Sequence, residues 1–151
     1  MEYGPSGFTQ GNGSLLSNIT LNPYSMFGLS SNTSYDIYIQ AYCASGALST
    51  WVGPYTFTTL CESPSALDTS NVTPIYADLL WTVGSSETEW NIQWDTANFT
   101  LGNGAIINTS SNPYSLTGLN ADTQYEFYVQ AVCGSNNTSE WVGPFSFLSG
   151  Y

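Results

Sequence analysis

There is no lysine, no arginine and no histidine anywhere in these 151 residues. Ordinary usage would place roughly nineteen basic side chains in a chain of this length. Eleven acidic residues therefore stand without a basic side chain to pair with, and the formal net charge is −11. Side-chain salt bridges are excluded, and nothing draws the chain to a nucleic-acid backbone or an anionic membrane surface. Without histidine there is no Ser-His or Cys-His nucleophile pair and no histidine metal site. Without lysine or arginine there is no Schiff base and no phosphate clamp. Carboxylates, hydroxyls and three thiols remain. No apolar run is long enough to span a bilayer. Met1-Glu-Tyr-Gly-Pro5 does not read as a signal peptide, so the segment is expected to be a mature fragment of something longer.

The chain does contain a repeat. Leu119-Asn-Ala-Asp-Thr123-Gln-Tyr125-Glu-Phe127-Tyr-Val129-Gln-Ala131-Val-Cys133 is preceded, at an offset of ninety residues, by Leu29-Ser-Ser-Asn-Thr33-Ser-Tyr35-Asp-Ile37-Tyr-Ile39-Gln-Ala41-Tyr-Cys43. The same offset relates Tyr24 to Tyr114 and Trp51 to Trp141, while Phe8-Thr-Gln-Gly-Asn-Gly13 matches Phe99-Thr-Leu-Gly-Asn-Gly104 at ninety-one. A period near ninety is the length of a small sandwich domain, not of a solenoid repeat. From each tyrosine onward every second residue is apolar, the period of a strand with one buried face. The leucine and the tyrosine flank a polar turn, and such a tyrosine buries its ring while its hydroxyl returns to the turn backbone.

The pattern L-x-x-x-T-x-Y-x-[apolar]-x-[apolar]-x-A resembles the E–F corner and F strand of fibronectin type III domains. Asn112-Pro-Tyr114 before the corner, Cys133 after strand F, and Ser139-Glu-Trp141-Val-Gly-Pro144-Phe-Ser-Phe147 into strand G extend the likeness to arrays in secreted and surface proteins of bacteria. The resemblance implies an all-β chain of immunoglobulin-like sandwiches in tandem. Residues 61–151 would be a complete domain with seven strands: A at 62–68, B at 75–81 with Ala77, Leu79 and Trp81 inward, C at 89–94, C′ after Gly102-Asn-Gly104, E at 112–116, then F, then G at 143–147. Residues 1–60 would be a partial domain running from C to G, because Glu2-Tyr3 aligns with Gln93-Trp94, already within strand C. Such a remnant would expose its E strand as an open edge, and open edges invite another chain. Two sources remain open for the missing strands: a longer repeat array from which this segment is cut, or a neighbouring molecule that adds strands.

On these strand assignments Cys133 ends F at the end of the sandwich where A begins with Cys61, which implies a Cys61–Cys133 bridge. Cys43 and Cys61 would instead lie at opposite ends of a sandwich about 25 Å long. Cys43 is then expected to pair with a cysteine outside this segment, just ahead of the absent A strand. Bridged cysteines point to an oxidising, extracellular setting. Leu29, Tyr35, Leu119, Tyr125 and Trp81 are the expected structural positions.

N-x-[ST] triplets occur at Asn12, Asn18, Asn32, Asn71, Asn98, Asn108, Asn136 and Asn137. About three would arise by chance from this asparagine and Ser/Thr content, so eight calls for a reason. One reason is a sugar-coated surface; the other is that Asn, Ser and Thr are good turn residues. Asp68-Thr69-Ser70 and Asp95-Thr96-Ala97 also match a short D-[ST]-x signal for O-linked sugar.

A glycosidase would need two facing carboxylates. Asp36 and Glu126 are equivalent outward positions of the two repeats, Asp68 and Asp78 flank turns or face solvent, and no pair falls in an expected cleft. No cofactor is expected. Calcium is the ion an acidic surface would take, and Glu87, Glu89 and Asp95 come nearest to a cluster, but no D-x-[DN]-x-[DN]-G loop is present. Trp51 and Trp141, each opening W-V-G-P, are expected to cover the end of a core or an adjoining domain, and Tyr38, Tyr42 and Tyr128 to add outward aromatic surface.

The resemblance implies a non-catalytic extracellular repeat protein: a segment or subunit of a glycosylated fibre or adhesive stalk, self-associating through the open edge of its partial domain. A second reading is an accessory carbohydrate- or protein-binding module of a secreted enzyme. R-G-D attachment is excluded by the lack of arginine.

Overall fold

The computed structural model describes residues 1–134 and 136–151. The chain divides into two compact units, Met1–Leu60 and Cys61–Tyr151. Every element among the described residues is a strand, and no helix there is long and apolar enough to cross a membrane.

Unit 2 is a two-sheet sandwich. One sheet holds β5 (Ser65–Ser70), β6 (Tyr76–Thr82) and β9 (Tyr114–Thr117) in the order β5-β6-β9. The other runs β11-β10-β7-β8, with β12 also on β10; it comprises β7 (Trp90–Thr96), β8 (Ala105–Thr109), β10 (Gln124–Gly134), β11 (Asn137–Thr138) and β12 (Val142–Leu148). All pairings are antiparallel. The register aligns the alternating apolar residues: Phe127 lies opposite Trp94 and Phe145, Val129 opposite Ile92, Ala131 opposite Trp90, and Ala77 opposite Leu116. Ala77, Leu79, Ile92, Phe127, Val129 and Ala131 lose all exposure between the sheets, and Trp81 meets Trp90 edge-on at 5.3 Å. Each fully buried large apolar side chain contributes about 1.5–3 kcal/mol.

Two local departures have clear causes. The first strand begins at Ser65 rather than Glu62, after the buried Pro64, which cannot donate to a ladder. Its register with β6 shifts between Ser65 and Asp68, where Ala66 takes φ +48°. The short β11 was not expected; it pairs with the end of β10, Val132 opposite Thr138 and Gly134 opposite Asn137.

Unit 1 has one sheet, in the order β2-β1-β3-β4: β1 (Glu2–Pro5), β2 (Ser14–Leu15), β3 (Ser34–Ile39) and β4 (Val52–Thr58). Its register repeats that of unit 2, with Tyr35 opposite Phe57 and Ile37 opposite Tyr55. The expected E strand does not form. Residues 22–26 are irregular, whereas the equivalent β9 is held by β6, and unit 1 has no strand corresponding to β6. What unit 1 leaves open is thus a sheet face rather than an E-strand edge.

Candidate functional site

The tyrosine corners are built alike. Tyr35 lies against Phe57 at 5.9 Å and its hydroxyl accepts the Ser30 N–H at 3.0 Å. Tyr125 lies against Phe147 at 5.8 Å and accepts the Asn120 N–H at 2.9 Å. Leu119 is buried in the unit 2 core, while Leu29 is only half-buried. Trp81 fills the core of unit 2.

The carboxylates brace turns. Asp36 is not an outward, solvated group: it is buried on β3 beneath the turn that follows β1. It accepts the Gly7 N–H at 2.7 Å, the Ser6 hydroxyl at 3.1 Å and the Thr56 hydroxyl at 2.5 Å. The Gly7 N–H first, then the Thr56 hydroxyl, hold its carboxyl below the usual value, against the opposing effect of desolvation. Glu126 does the equivalent work in unit 2, accepting the Asn98 N–H at 2.9 Å and the Ser146 hydroxyl at 3.1 Å. Asp78 accepts the Ser115 hydroxyl at 2.5 Å and the Asn71 amide at 2.8 Å, which lower its pKa in that order.

A further equivalent pair escaped the sequence reading. Glu2 accepts the N–H groups of Gly11 and Gly13, both at 2.8 Å. Gln93 instead accepts from Gly102 at 2.6 Å and donates to the Gly104 carbonyl at 3.2 Å. The signal was the polar residue alternating with apolar ones on strand C beside a G-N-G turn.

Of the acidic residues nearest to a calcium cluster, Glu87 spends both oxygens on the Gly84 and Ser85 N–H groups, and Asp95 accepts from its neighbour Thr96. Among the described residues no group of three His, Cys, Asp or Glu side chains is placed to hold a metal ion. A shallow hollow lined by Thr88, Glu89, Asn108, Thr109 and Ser110 has no apolar wall against which to seat a substrate.

The aromatic and turn positions sort by environment. Tyr38 and Tyr128 are half-covered by Phe8 and Phe99, ring edge to ring face at 5.6 and 5.5 Å, so they are not free surface; Tyr42 is. Trp51 and Trp141 are half-buried. The glycine after each of them is obligatory: Gly143 has φ +135°, and a Cβ there would meet the Phe127 carbonyl oxygen at 2.8 Å, with the same arrangement at Gly53 against Ile37. Among the sequons, Asn18, Asn32, Asn71 and Asn98 adopt positive φ, which asparagine tolerates better than most residues. Asn12, Asn18, Asn32, Asn71, Asn98, Asn108 and Asn136 are exposed and Asn137 is half-buried.

Cys61 and Cys133 form a disulfide with Cα atoms 5.9 Å apart, while Cys43 is exposed and free. Equivalent sheet residues of the two units contrast sharply in exposure. Val129 is 0% exposed and its equivalent Ile39 is 57% exposed. Tyr55, equivalent to the half-buried Phe145, is 67% exposed. Tyr35 is the one buried apolar side chain among the described residues of unit 1. The β2-β1-β3-β4 sheet therefore leaves bare the face whose equivalent in unit 2 lies under that unit's own second sheet, and this face, with the free Cys43 four residues beyond the end of β3, is the candidate site.

Residues 62–146 match the sequence profile described as the fibronectin type III domain. Among curated proteins no sequence matches the chain. Solved structures that resemble it include a two-domain fibronectin type III segment of chicken tenascin, at TM-score 0.60 and 20% identity, covering 82% of this chain and 68% of that one. The FN1–FN3 domains of chicken CNTN1 align at TM-score 0.54 and 13% identity, over 82% of this chain and 44% of that one. A structure described as a myokine aligns at TM-score 0.52 and 20% identity, over 60% of this chain and 99% of that one.

Proposed function

Since the chain belongs to the fibronectin type III family, a family of non-catalytic structural, adhesive or binding modules, we propose that it is a segment of an extracellular surface fibre or adhesive stalk. In this reading unit 1 is a partial domain that a neighbouring chain or repeat completes, so that the molecule works by assembly. The contrast between Ile39 and Val129 carries it: one sheet pattern is dry in unit 2 and bare in unit 1. An apolar face of this kind marks an interaction surface. The carboxylates described above are committed to turn N–H groups and hydroxyls, which supports a role without catalysis. The Cys61–Cys133 bridge supports an oxidising compartment. The exposed sequons supply places for sugar, and a native mass above that of the bare sequence would support glycosylation.

Electron microscopy of the native material tests the proposal. Filaments repeating at one or two domain lengths support it, and dispersed particles contradict it. The second reading, a binding module of a secreted enzyme, draws on Phe27, Tyr42 and Tyr55, which are 86%, 77% and 67% exposed. It requires saturable binding to a polysaccharide that is lost when these rings are replaced by alanine.

A further inference from the structure

Resting on the reading of unit 1 as an incomplete sandwich, we propose that its bare face is a docking site for a β-hairpin of the chemistry of Cys61–Thr82, contributed by another repeat of this kind. The hairpin covers Ile37, Ile39 and Phe57, pairs with the irregular segment at Tyr24–Met26, and is locked by a disulfide from its leading cysteine to Cys43.

Unit 2 supplies the template. There β5 and β6 lie over the equivalent sheet with Ala77, Leu79 and Trp81 turned inward, and β6 organises β9 through the Ala77–Leu116 and Leu79–Tyr114 pairs. Met26 and Tyr24 occupy the positions of Leu116 and Tyr114, and they are irregular where that partner is missing. Cys43 occupies the position of Cys133, whose partner Cys61 stands just ahead of β5. Three deficits of unit 1 are therefore met by one element: an uncovered face, an unpaired segment and an unbridged cysteine.

Size and stoichiometry narrow the occupant. Strands of two, four, six and seven residues, about 4.8 Å apart and rising about 3.3 Å per residue, give a face of about 300 Å², within the range of patches that are functional on monomers. A copy of this chain that gave up its own hairpin would bare Phe127, Val129 and Ala131 and leave Cys133 unbridged, so exchange between copies gains nothing. The occupant is therefore a hairpin that is not already engaged in a sandwich of its own.

The locking step is thiol–disulfide exchange with a small disulfide such as oxidised glutathione. The Cys43 thiolate attacks one glutathione sulfur and expels the other as thiolate. The hairpin thiolate then attacks the Cys43 sulfur and expels the second glutathione. One small disulfide is reduced to two thiols for each protein bridge formed, and the two protons lost by the cysteines are taken up by the glutathione thiolates.

The test uses the full chain and a synthetic peptide with the sequence of residues 61–82, in a glutathione redox buffer, against a scrambled peptide that keeps the leading cysteine. Mass mapping of Cys43 should show at least about tenfold more adduct with the peptide in native order, and a W81D peptide should fall to the scrambled level. With a C43S chain and a C61S peptide, amide exchange at residues 24–26 and 37–39 should still slow, which separates docking from the covalent bond. Equal capture of native and scrambled peptides, or a Cys43–Cys43 dimer that excludes the peptide, overturns the site. Absence of filaments in native material would overturn the fibre reading without altering the capture ratio.

Discussion

The Tyr125 hydroxyl accepts the backbone N–H of Asn120 at 2.9 Å, five residues upstream, and so closes the turn leading from β9 into β10. Y125F keeps the ring against Phe147 and Trp94 but leaves that N–H without its acceptor. The expected loss is about 1–3 kcal/mol, read as a lower urea midpoint with an unchanged slope.

Core substitutions should divide by unit. L79A and F127A create cavities between closed sheets and should cost about 2–5 kcal/mol. I39A removes a side chain that is 57% exposed and should stay within about 0.5 kcal/mol. Thermal melts of the three variants check this, and an I39A loss matching that of L79A would mean that the face is already covered.

Reducing the Cys61–Cys133 bridge releases a loop with a sequence separation of 72. By loop-closure entropy the loss is about 4 kcal/mol. C61S/C133S should reproduce the loss seen in reductant, while C43S should leave the midpoint of unit 2 unchanged.

Acid should destabilise through Asp36 and Asp78. Both have folded-state pKa values below the ordinary 3.8, so the stability they contribute is complete above that value and is lost as pH falls through the lower folded values. Protonating the remaining carboxylates works the other way, by relieving repulsion in a chain of net charge −11. The difference between parent and variant isolates the first effect. As pH falls below 3.8, D78N should lose less stability than the parent.

Salt should stabilise. With no basic side chain, screening acts almost wholly on like charges, the N-terminal ammonium being the exception. The melting midpoint should rise between low and moderate sodium chloride, and a fall would contradict this.

Much of unit 2 was legible because period-2 alternation, the L-x-x-x-T-x-Y corner and the G-P entry to the last strand are local signals. Ala77, Leu79 and Trp81 point inward as their spacing required. What alternation could not show was dependence on partners. Tyr24–Met26 is led in by the same N-P-Y signal as β9, yet forms no strand, because a strand needs a neighbour to bond with. Asp36 alternates outward but is buried, because the turn at Ser6-Gly7 folds over it. Burial by a loop leaves no periodic trace. Cys43 and Cys133 are alike in sequence, and the presence of Cys61 ahead of β5 distinguishes their fates.

Amide hydrogen exchange at Ile39 and Val52, paired across β3 and β4, tests most directly whether unit 1 is completed by a neighbour. The account predicts that both amides exchange much more slowly in the native material than in the isolated chain, while Val129 is equally protected in each. Equal exchange at Ile39 in the two preparations would contradict it.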